Sequence, residues 1–158
     1  MEEMLDVIDD EEKVLETLPK KEVIERHLLH KTVHVEIINS KGELLVGLRA
    51  PEKRIYPNQW DSGVSGHVAS GESEEETAKR EMKEEIGIGA EVEFLGKIRS
   101  RTSEVDELVY VYVAKSDGPF EAMEATELKT VAVEDAAFLS ATPPFRRILS
   151  LLKEKKVI

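Results

Sequence analysis

Three glutamates lie close together near the middle of the chain: Glu81, Glu84 and Glu85. Residues three and four positions apart share one face of a helix, so the three carboxylates would crowd together. Like charges at this spacing destabilise a helix by roughly 0.2–0.5 kcal/mol per pair when nothing lies between them. A divalent cation between the carboxylates turns this repulsion into a net attraction. Mg²⁺ prefers one or two carboxylates together with water and substrate phosphate oxygens. The cluster therefore predicts a Mg²⁺ site, with Mn²⁺ as a substitute, for chemistry on phosphate groups.

The neighbouring residues predict the helix that would hold this cluster. Ser73 followed by Glu76 fits a capping box at the start, and Gly87 is placed to end the helix. Arg80 lies four residues from both Glu76 and Glu84, so its guanidinium could hold the acidic turn in one geometry. The helix also has an apolar stripe that can dock on a core, formed by Ala78, Met82 and Ile86.

A simpler interpretation is a solvated acidic face, because glutamates interspersed with lysine, as in Glu75–Lys79, are common on exposed helices. The longer pattern favours a site, since it fixes nine positions: Gly66-x5-Glu72-x7-Arg80-Glu81-Met82-x-Glu84-Glu85-x-Gly87-Ile88. This string resembles the Nudix box, GX5EX7REUXEEXGU, in which U is a bulky aliphatic residue. The resemblance implies a hydrolase that cleaves a nucleoside diphosphate linked to another group, by Mg²⁺-assisted attack of water on phosphorus.

The same resemblance assigns a role to each residue of the box. Glu81 and Glu85 would be the principal metal ligands, and Glu84 would complete the cluster as a ligand or proton acceptor. The carbonyl of Ser65, just before the motif residue Gly66, would add a backbone ligand. Two further residues would have positioning roles: Arg80 would orient the glutamates, and Glu72 would tie the loop to the helix.

Composition sets limits on the class of protein. The chain has 158 residues, 41% hydrophobic and 35% charged, which suits one globular domain with a real core. It has no cysteine, which excludes disulfides, thiolate metal sites and cysteine nucleophiles. No apolar run approaches the ~20 residues of a membrane span, and the acidic N-terminal stretch is unlike a targeting peptide. The net charge of −11 argues against nucleic-acid or membrane partners, and we expect a cytoplasmic protein.

Hydrophobic patterning predicts an α/β (α+β) fold with one domain over residues 1–158, of which 1–30 form an N-terminal extension packed on the rest. The Nudix resemblance sharpens this to a mixed β-sheet sandwiched between α-helices. Val33, Val35 and Ile37 would share one face of a strand. The predicted strands are 5–8, 32–38, 43–48, 63–69, 92–98, 108–114 and 128–133, with a short helix after Pro19 and a C-terminal helix over 144–154.

Further residues before the box look like the isopentenyl-diphosphate-isomerase-like branch of Nudix proteins, among them His30-Lys31-Thr32-Val33-His34 and Trp60-Asp61. That branch contains isomerases and hydrolases. An isomerase needs a cysteine immediately before the Gly-His pair, where this chain has Ser65, and Val105 replaces one of its two acids. The hydrolase interpretation is therefore preferred. A Nudix-fold sensor that binds a nucleotide without turnover is the other alternative, although it would not need the intact box.

The resemblance also implies residues that meet the substrate. Arg49 and Lys53 occupy positions that hold diphosphate oxygens in isomerase relatives. In this family the general base often lies outside the box, and Glu107 is the preferred candidate among Glu104, Glu107, Glu124 and Glu127. His67, like the other histidines, is interpreted as structural, and Trp60 as a packing residue. The expected partner is a small diphosphate compound, and Nudix relatives are often homodimers.

Overall fold

A computed structural model describes residues 2–158 of the chain. In this range the chain forms nine strands and four helices. In chain order they are β1 (Met4–Ile8), β2 (Val14–Pro19), α1 (Lys20–Glu25), β3 (His30–Ile38), β4 (Leu44–Leu48), β5 (Trp60–Ser62), β6 (Val64–His67), α2 (Glu74–Ile86), β7 (Glu93–Arg101), β8 (Asp106–Lys115), β9 (Glu127–Val131), α3 (Val133–Ala136) and α4 (Pro143–Glu154).

Seven of the strands form one mixed sheet. Its main path runs β5-β4-β3-β8-β7, with β6 added to β3 and β9 added to β4. The central pair, β3 and β8, is parallel over its full length, from His30 opposite Glu107 to Ile38 opposite Lys115. The other pairings in this sheet are antiparallel. The predicted mixed sheet is confirmed.

Helices cover both faces of this sheet. On one face Val33, Val35 and Ile37 pack with the predicted apolar stripe of α2, Ala78, Met82 and Ile86. On the other face α4 packs on Val109 and Val111 of β8 through Phe145, Ile148 and Leu152. Burying each large apolar side chain stabilises the fold by roughly 1.5–3 kcal/mol. The α/β layering with the sheet between helices is therefore confirmed.

The ends of α2 follow the sequence signals. The Ser73 hydroxyl accepts a hydrogen bond from the Glu76 backbone N–H at 3.1 Å, and the Glu76 carboxylate accepts one from the Ser73 N–H at 3.1 Å. Gly87 ends the helix at φ 73°, a left-handed conformation that glycine adopts without steric cost. The predicted capping box and the helix end are both confirmed, and they fix where the acidic turn lies.

The N-terminal segment forms a separate β-hairpin and helix beside the sheet. β1 and β2 pair antiparallel, and Leu5, Val7 and Val23 form a small apolar cluster under α1. The hairpin is held to the loop after β6 by the backbone hydrogen bond from the Ser70 N–H to the Met4 carbonyl, 2.9 Å. This packing places α1 at the edge of a cleft of about 750 Å³.

Three elements are missing from the predicted set: β2, β5 and α3. β5 has three residues, two of which, Asp61 and Ser62, are buried and polar, so no apolar alternation marks it. α3 is a single turn of four residues. Within residues 2–158 no helix has the length and apolar composition needed to cross a membrane.

Candidate active site

A cleft of about 750 Å³ opens between the N-terminal helix, the sheet and α2. Its walls come from α1, from strands β3 to β6, from the loop after β4 and from the acidic turn of α2. Most of the predicted site residues line it, namely Arg49, Lys53, Ser65, Gly66, Glu72, Arg80, Glu81, Glu84, Glu85 and Glu107. Gly87 lies outside the cleft and serves as the helix end.

Three carboxylates meet at one end of the cleft. Glu81, Glu85 and Glu124 each offer an oxygen, and these oxygens lie within 4.8 Å of one another. Glu81 and Glu85 come from adjacent turns of α2, while Glu124 comes from the connection between β8 and β9. That connection is held against the end of α2 because the Met123 N–H donates to the Glu85 carbonyl at 3.1 Å, and the Glu121 N–H to the Ile86 carbonyl at 3.1 Å.

The electrostatics of this carboxylate group suit a hard divalent cation. Burial, together with the neighbouring carboxyl, raises the pKa of Glu85, and burial raises the pKa of Glu81. Two carboxylates this close are costly to ionise together unless positive charge lies between them. An all-oxygen donor set of this kind matches Mg²⁺ or Mn²⁺.

Gly66 allows the sheet to approach this group. A Cβ atom at Gly66 would lie 2.5 Å from the Glu81 Cδ, much closer than a carbon contact permits. The preceding residue, Ser65, donates its backbone N–H to the Glu85 Oε2 at 3.2 Å. β6 therefore contacts both Glu81 and Glu85. Ser65, the predicted backbone ligand, lies beside these two glutamates.

Arg80 holds the acidic turn through four hydrogen bonds. Its Nε and Nη2 donate to the two oxygens of Glu72 at 2.8 and 2.9 Å. Its Nη1 donates to Glu81 Oε1 at 2.9 Å and to Glu84 Oε2 at 3.1 Å. The Arg80 guanidinium accordingly lowers the pKa of Glu72 to about 2. Arg80 thus lies where the sequence pattern predicts an orienting cation, and Glu72 links the loop before α2 to the helix.

Glu84 lies apart from the three-carboxylate group. Its side chain is 59% exposed and contacts Arg80, whereas the Glu81 side chain is 14% exposed. The resemblance names Glu84 as the third member, whereas the oxygens that lie within 4.8 Å of one another include one from Glu124. Glu84 still lines the cleft, so its predicted role as a metal ligand or proton acceptor stays a prediction.

Cationic side chains line the cleft beside this group. Lys53 Nζ lies 2.6 Å from a Glu124 oxygen. Arg49 donates from Nε and Nη2 to the Ile55 carbonyl at 2.9 and 2.7 Å, which fixes its guanidinium in place. Arg54 reaches Glu25 of α1 at 3.6 Å. These residues place positive charge where an anionic substrate would lie, in a chain that is acidic as a whole.

Glu107 is buried at the start of β8 and lines the same cleft. Burial raises its pKa to about 7. The other candidate bases outside the carboxylate group, Glu104 and Glu127, are exposed.

His30 and His67 stack on each other with ring centroids 5.4 Å apart, and burial lowers the pKa of both. Trp60 packs against the core cluster under α4, as predicted.

A buried polar group that was not predicted lies at the floor of the cleft. Its members are Glu36 and His34 of β3, Asp61 and Ser62 of β5, and Thr142 at the start of α4. The sequence contains one signal for it, because Thr32, His34 and Glu36 alternate with the apolar face of β3. Their partners on β5 and α4 are distant in sequence, so this pattern alone does not reveal the contacts.

The NUDIX domain family model matches residues 28–152. The chain belongs to the Nudix family. An uncharacterised Nudix hydrolase of Pseudomonas aeruginosa is 37% identical over 86 residues, which are 54% of this chain and 51% of that protein. An uncharacterised Nudix hydrolase of Clostridium acetobutylicum is 40% identical over 92 residues, 56% of this chain and 44% of the relative. The chain spans about half the length of these relatives.

Solved structures share the Nudix fold. A Deinococcus radiodurans crystal structure has a TM-score of 0.78 at 24% identity and covers 94% of this chain and 98% of its own. The Nudix domain of Shewanella oneidensis NrtR, solved in complex with ADP ribose, has a TM-score of 0.69 at 16% identity. The match covers 80% of this chain and 87% of the NrtR chain. The predictions of family and fold are therefore confirmed.

One relative carries the name of the alternative activity. An isopentenyl-diphosphate Δ-isomerase of Serratia proteamaculans is 29% identical over 123 residues, 75% of this chain and 69% of its own length. In the present chain Ser65 stands beside the carboxylate group, with a hydroxyl where the resemblance to isomerases implies a thiol. Val105, which replaces one of the expected acids, is buried in the cleft wall.

Proposed function

We propose that this Nudix protein is a Mg²⁺-dependent pyrophosphohydrolase that cleaves the diphosphate linkage of a nucleoside diphosphate derivative by attack of water on phosphorus. The observation that carries the proposal is the group formed by Glu81, Glu85 and Glu124 at one end of a cleft that also contains fixed cations. Transfer of a phosphoryl group depends mainly on positioning and charge neutralisation, which such a cleft supplies.

Glu81, Glu85 and Glu124 would hold the metal, together with the backbone of Ser65. When bound, Mg²⁺ would neutralise phosphate charge and lower the pKa of a coordinated water. Arg80 keeps Glu81 oriented through their 2.9 Å hydrogen bond, and Glu72 keeps Arg80 in place. The metal-binding geometry is thus held by side chains that do not themselves bind the metal.

The remaining residues of the cleft would bind the substrate and move the proton. Arg49 and Lys53 would bind phosphate oxygens, with Lys53 exchanging its contact to Glu124 for the substrate. Burial raises the pKa of Glu107 to about 7, a value that suits a general base near neutral pH, and general base catalysis typically contributes ~10²–10⁴-fold. We propose that its carboxylate accepts the proton of the attacking water.

The experiment is a substrate panel of nucleoside diphosphates, triphosphates and nucleotide sugars, plus isopentenyl diphosphate, with and without Mg²⁺. We expect phosphate or nucleoside monophosphate release from a nucleoside compound, only with metal. Isomerisation of isopentenyl diphosphate would support the alternative enzyme. Tight binding of one nucleotide without turnover of any would support the sensor.

Replacing Glu85 with Gln tests the metal assignment. We expect the rate to fall on the order of 10²-fold, as disturbing a metal's ligand shell typically does, with the fold unchanged by circular dichroism. The matched control is Glu75→Gln, which makes the same chemical change on the same helix at an exposed residue whose carboxylate pairs with Lys79. An unaffected rate in Glu85→Gln contradicts the assignment.

A further inference from the structure

Tyr56 lines the cleft from the loop after β4, and its backbone is strained. Its φ is 51°, in the left-handed region. Glycine adopts this conformation without steric cost, whereas a bulky side chain keeps it only where the surrounding structure holds it there. Strained residues of this kind cluster at sites that bind ligands. A glycine would serve the turn here, so we expect the tyrosine side chain to have a role of its own.

Two contacts fix the position of the Tyr56 ring. The Arg49 guanidinium donates two hydrogen bonds to the Ile55 carbonyl, at 2.9 and 2.7 Å, and so holds the peptide group that precedes Tyr56. At the other end, the hydroxyls of Tyr56 and Thr102 share a hydrogen bond of 2.6 Å. Thr102 is itself held in the β7–β8 turn, because its backbone N–H donates to the Val105 carbonyl at 2.9 Å. A ring held at both ends loses little side-chain entropy when a ligand binds to it.

The cleft wall around Tyr56 is apolar. Ile55 precedes it in the chain, Val105 belongs to the same turn as Thr102, and both line the cleft. Tyr56 is partly exposed, and its hydroxyl is engaged with Thr102. The part of the side chain that remains to meet a ligand is therefore the ring, which suits a flat aromatic partner.

The same loop also reaches the carboxylate group. Lys53, three residues before Tyr56, lies 2.6 Å from an oxygen of Glu124. Three residues of chain span at most about 11 Å, which limits the distance between the backbones of Lys53 and Tyr56. A diphosphate bound beside Lys53 would therefore have the organic group that it carries within reach of the Tyr56 ring.

We propose that Tyr56 is a specificity-determining residue whose ring stacks on the base of the substrate. This inference rests on the proposed function, which supplies a nucleoside substrate, and it assigns the residue that binds the base. Every base has an aromatic face, so stacking is tolerant of base identity. Tyr56 accordingly favours substrates that have a base over those that lack one, and it distinguishes little among the bases.

Two substitutions separate the ring of Tyr56 from its hydrogen bond. Tyr56→Leu removes both the ring and the hydroxyl, whereas Tyr56→Phe keeps the ring and removes only the contact with Thr102. A stacking role predicts a loss in Tyr56→Leu alone. A purely structural role, in which Tyr56 only ties the loop to the turn, predicts the same loss in both variants.

The substrates are the best nucleoside compound of the panel and its counterpart with the same sugar and phosphates but no base. For the wild type we expect kcat/KM to be about tenfold or more higher with the base, equivalent to about 1.4 kcal/mol. In Tyr56→Leu this ratio falls toward one, because KM rises for the nucleoside compound while the compound without a base is hydrolysed as by the wild type. Tyr56→Phe retains the ratio. Thermal unfolding of each variant checks that it folds.

Tyr56→Trp gives a measurement that does not depend on turnover. The wild type has one tryptophan, Trp60, which packs against the core. We expect the nucleoside monophosphate product to quench the fluorescence of Tyr56→Trp through stacking, and ribose 5-phosphate to leave it unchanged. The wild type should show neither change. Absence of quenching, although calorimetry shows that the nucleotide binds, overturns the inference.

The kinetic outcomes separate this inference from the proposed function. If the wild type hydrolyses no compound of the panel, the proposed function fails and the inference fails with it. If the wild type is active but gains nothing from the base, or if Tyr56→Leu and Tyr56→Phe behave alike, only the inference is overturned. An equal loss on both substrates in a folded Tyr56→Leu also overturns it, because such a loss indicates a structural role.

Discussion

Gly66 shows how one backbone position controls the carboxylate group. Its missing side chain lets β6 lie against Glu81, and the neighbouring N–H then reaches Glu85. A methyl group at this position must push the Glu81 carboxyl away, because a 2.5 Å contact between carbons is not tolerated. The presence of glycine here therefore follows from the geometry of the proposed metal centre rather than from a turn.

We expect Gly66→Ala to weaken Mn²⁺ binding and to reduce hydrolysis on the order of 10-fold or more. The atoms in the way belong to the end of the Glu81 side chain, which can move, so we expect a smaller effect on stability than on metal binding. Calorimetric Mn²⁺ titration and thermal unfolding measure the two effects. Gly89→Ala is the control, since a Cβ there meets nothing within 4 Å. Unchanged Mn²⁺ affinity in Gly66→Ala contradicts this explanation.

Glu36 predicts a pH effect on stability. Burial raises its pKa to about 8 from the ordinary 4.5, so the folded state keeps a proton that the unfolded state loses. This contribution to stability is fully present below pH 4.5 and is lost as the pH rises toward 8, with a slope of about 1.4 kcal/mol per pH unit. In Glu36→Gln this part of the pH dependence should disappear, while the part contributed by other carboxyls with a raised pKa, such as Glu107, remains. Urea unfolding of both proteins from pH 5 to 9 gives the difference, and parallel curves contradict the assignment.

Contacts between residues close together in the chain could be predicted, whereas contacts between distant residues could not. Glu81 and Glu85 could be predicted because helical spacing alone places them together. Glu124 could be named only as a candidate base, since its place in the carboxylate group depends on hydrogen bonds from the β8–β9 connection to the end of α2. The Glu36–Ser62 contact joins two strands through side chains, and local patterning carries no information about such a pair.

At the scale of elements, the N-terminal hairpin is held to the sheet by its turn. Glu12 contacts Lys97 at 2.6 Å, Lys31 at 3.4 Å and the hydroxyl of Tyr110. Burial opposes ionisation of Glu12, yet hydrogen bonds from Lys97 and Tyr110 lower its pKa to about 2. Since the hairpin leads into α1, this contact also positions one wall of the cleft.

We expect Glu12→Gln to loosen the hairpin and to lower the free energy of unfolding by about 1 kcal/mol, because the ion pairs are partly exposed. Hydrogen exchange over residues 4–19 should become faster, while exchange in α4 changes little. Glu11→Gln provides a control with the same charge change on an exposed neighbour whose carboxylate makes no hydrogen bond or ion pair within residues 2–158. Equal exchange in the two variants contradicts the anchoring role.

For the whole molecule, the proposed metal would connect parts that are distant in sequence. Glu81 and Glu85 belong to α2, and Glu124 belongs to the connection that leads to β9 at the other side of the sheet. A ligand that binds only the folded state stabilises it by about 2.7 kcal/mol at a hundred times its Kd. The net charge of −11 adds to the attraction for a cation.

We therefore expect saturating Mg²⁺ to raise Tm by about 5–10 °C, from ~2–4 °C per kcal/mol for a chain of this size. NaCl at matched ionic strength is the control for screening. The increase should be smaller in Glu124→Gln and intact in Glu127→Gln, which changes an exposed residue outside the carboxylate group. An equal increase in both variants would show that Glu124 does not bind the ion.

The parallel pairing of β3 with β8 also bears on how the chain reaches its native state. Residue 30 lies opposite residue 107, so 77 positions separate the two partners at the centre of the sheet. Closing so long a segment costs chain entropy before any pairing compensates for it, and domains dominated by such distant contacts fold in milliseconds to seconds. During synthesis on the ribosome, β3 cannot pair with β8 until β8 has emerged. Until then, the apolar residues of β3 depend on α2 to shield them from solvent.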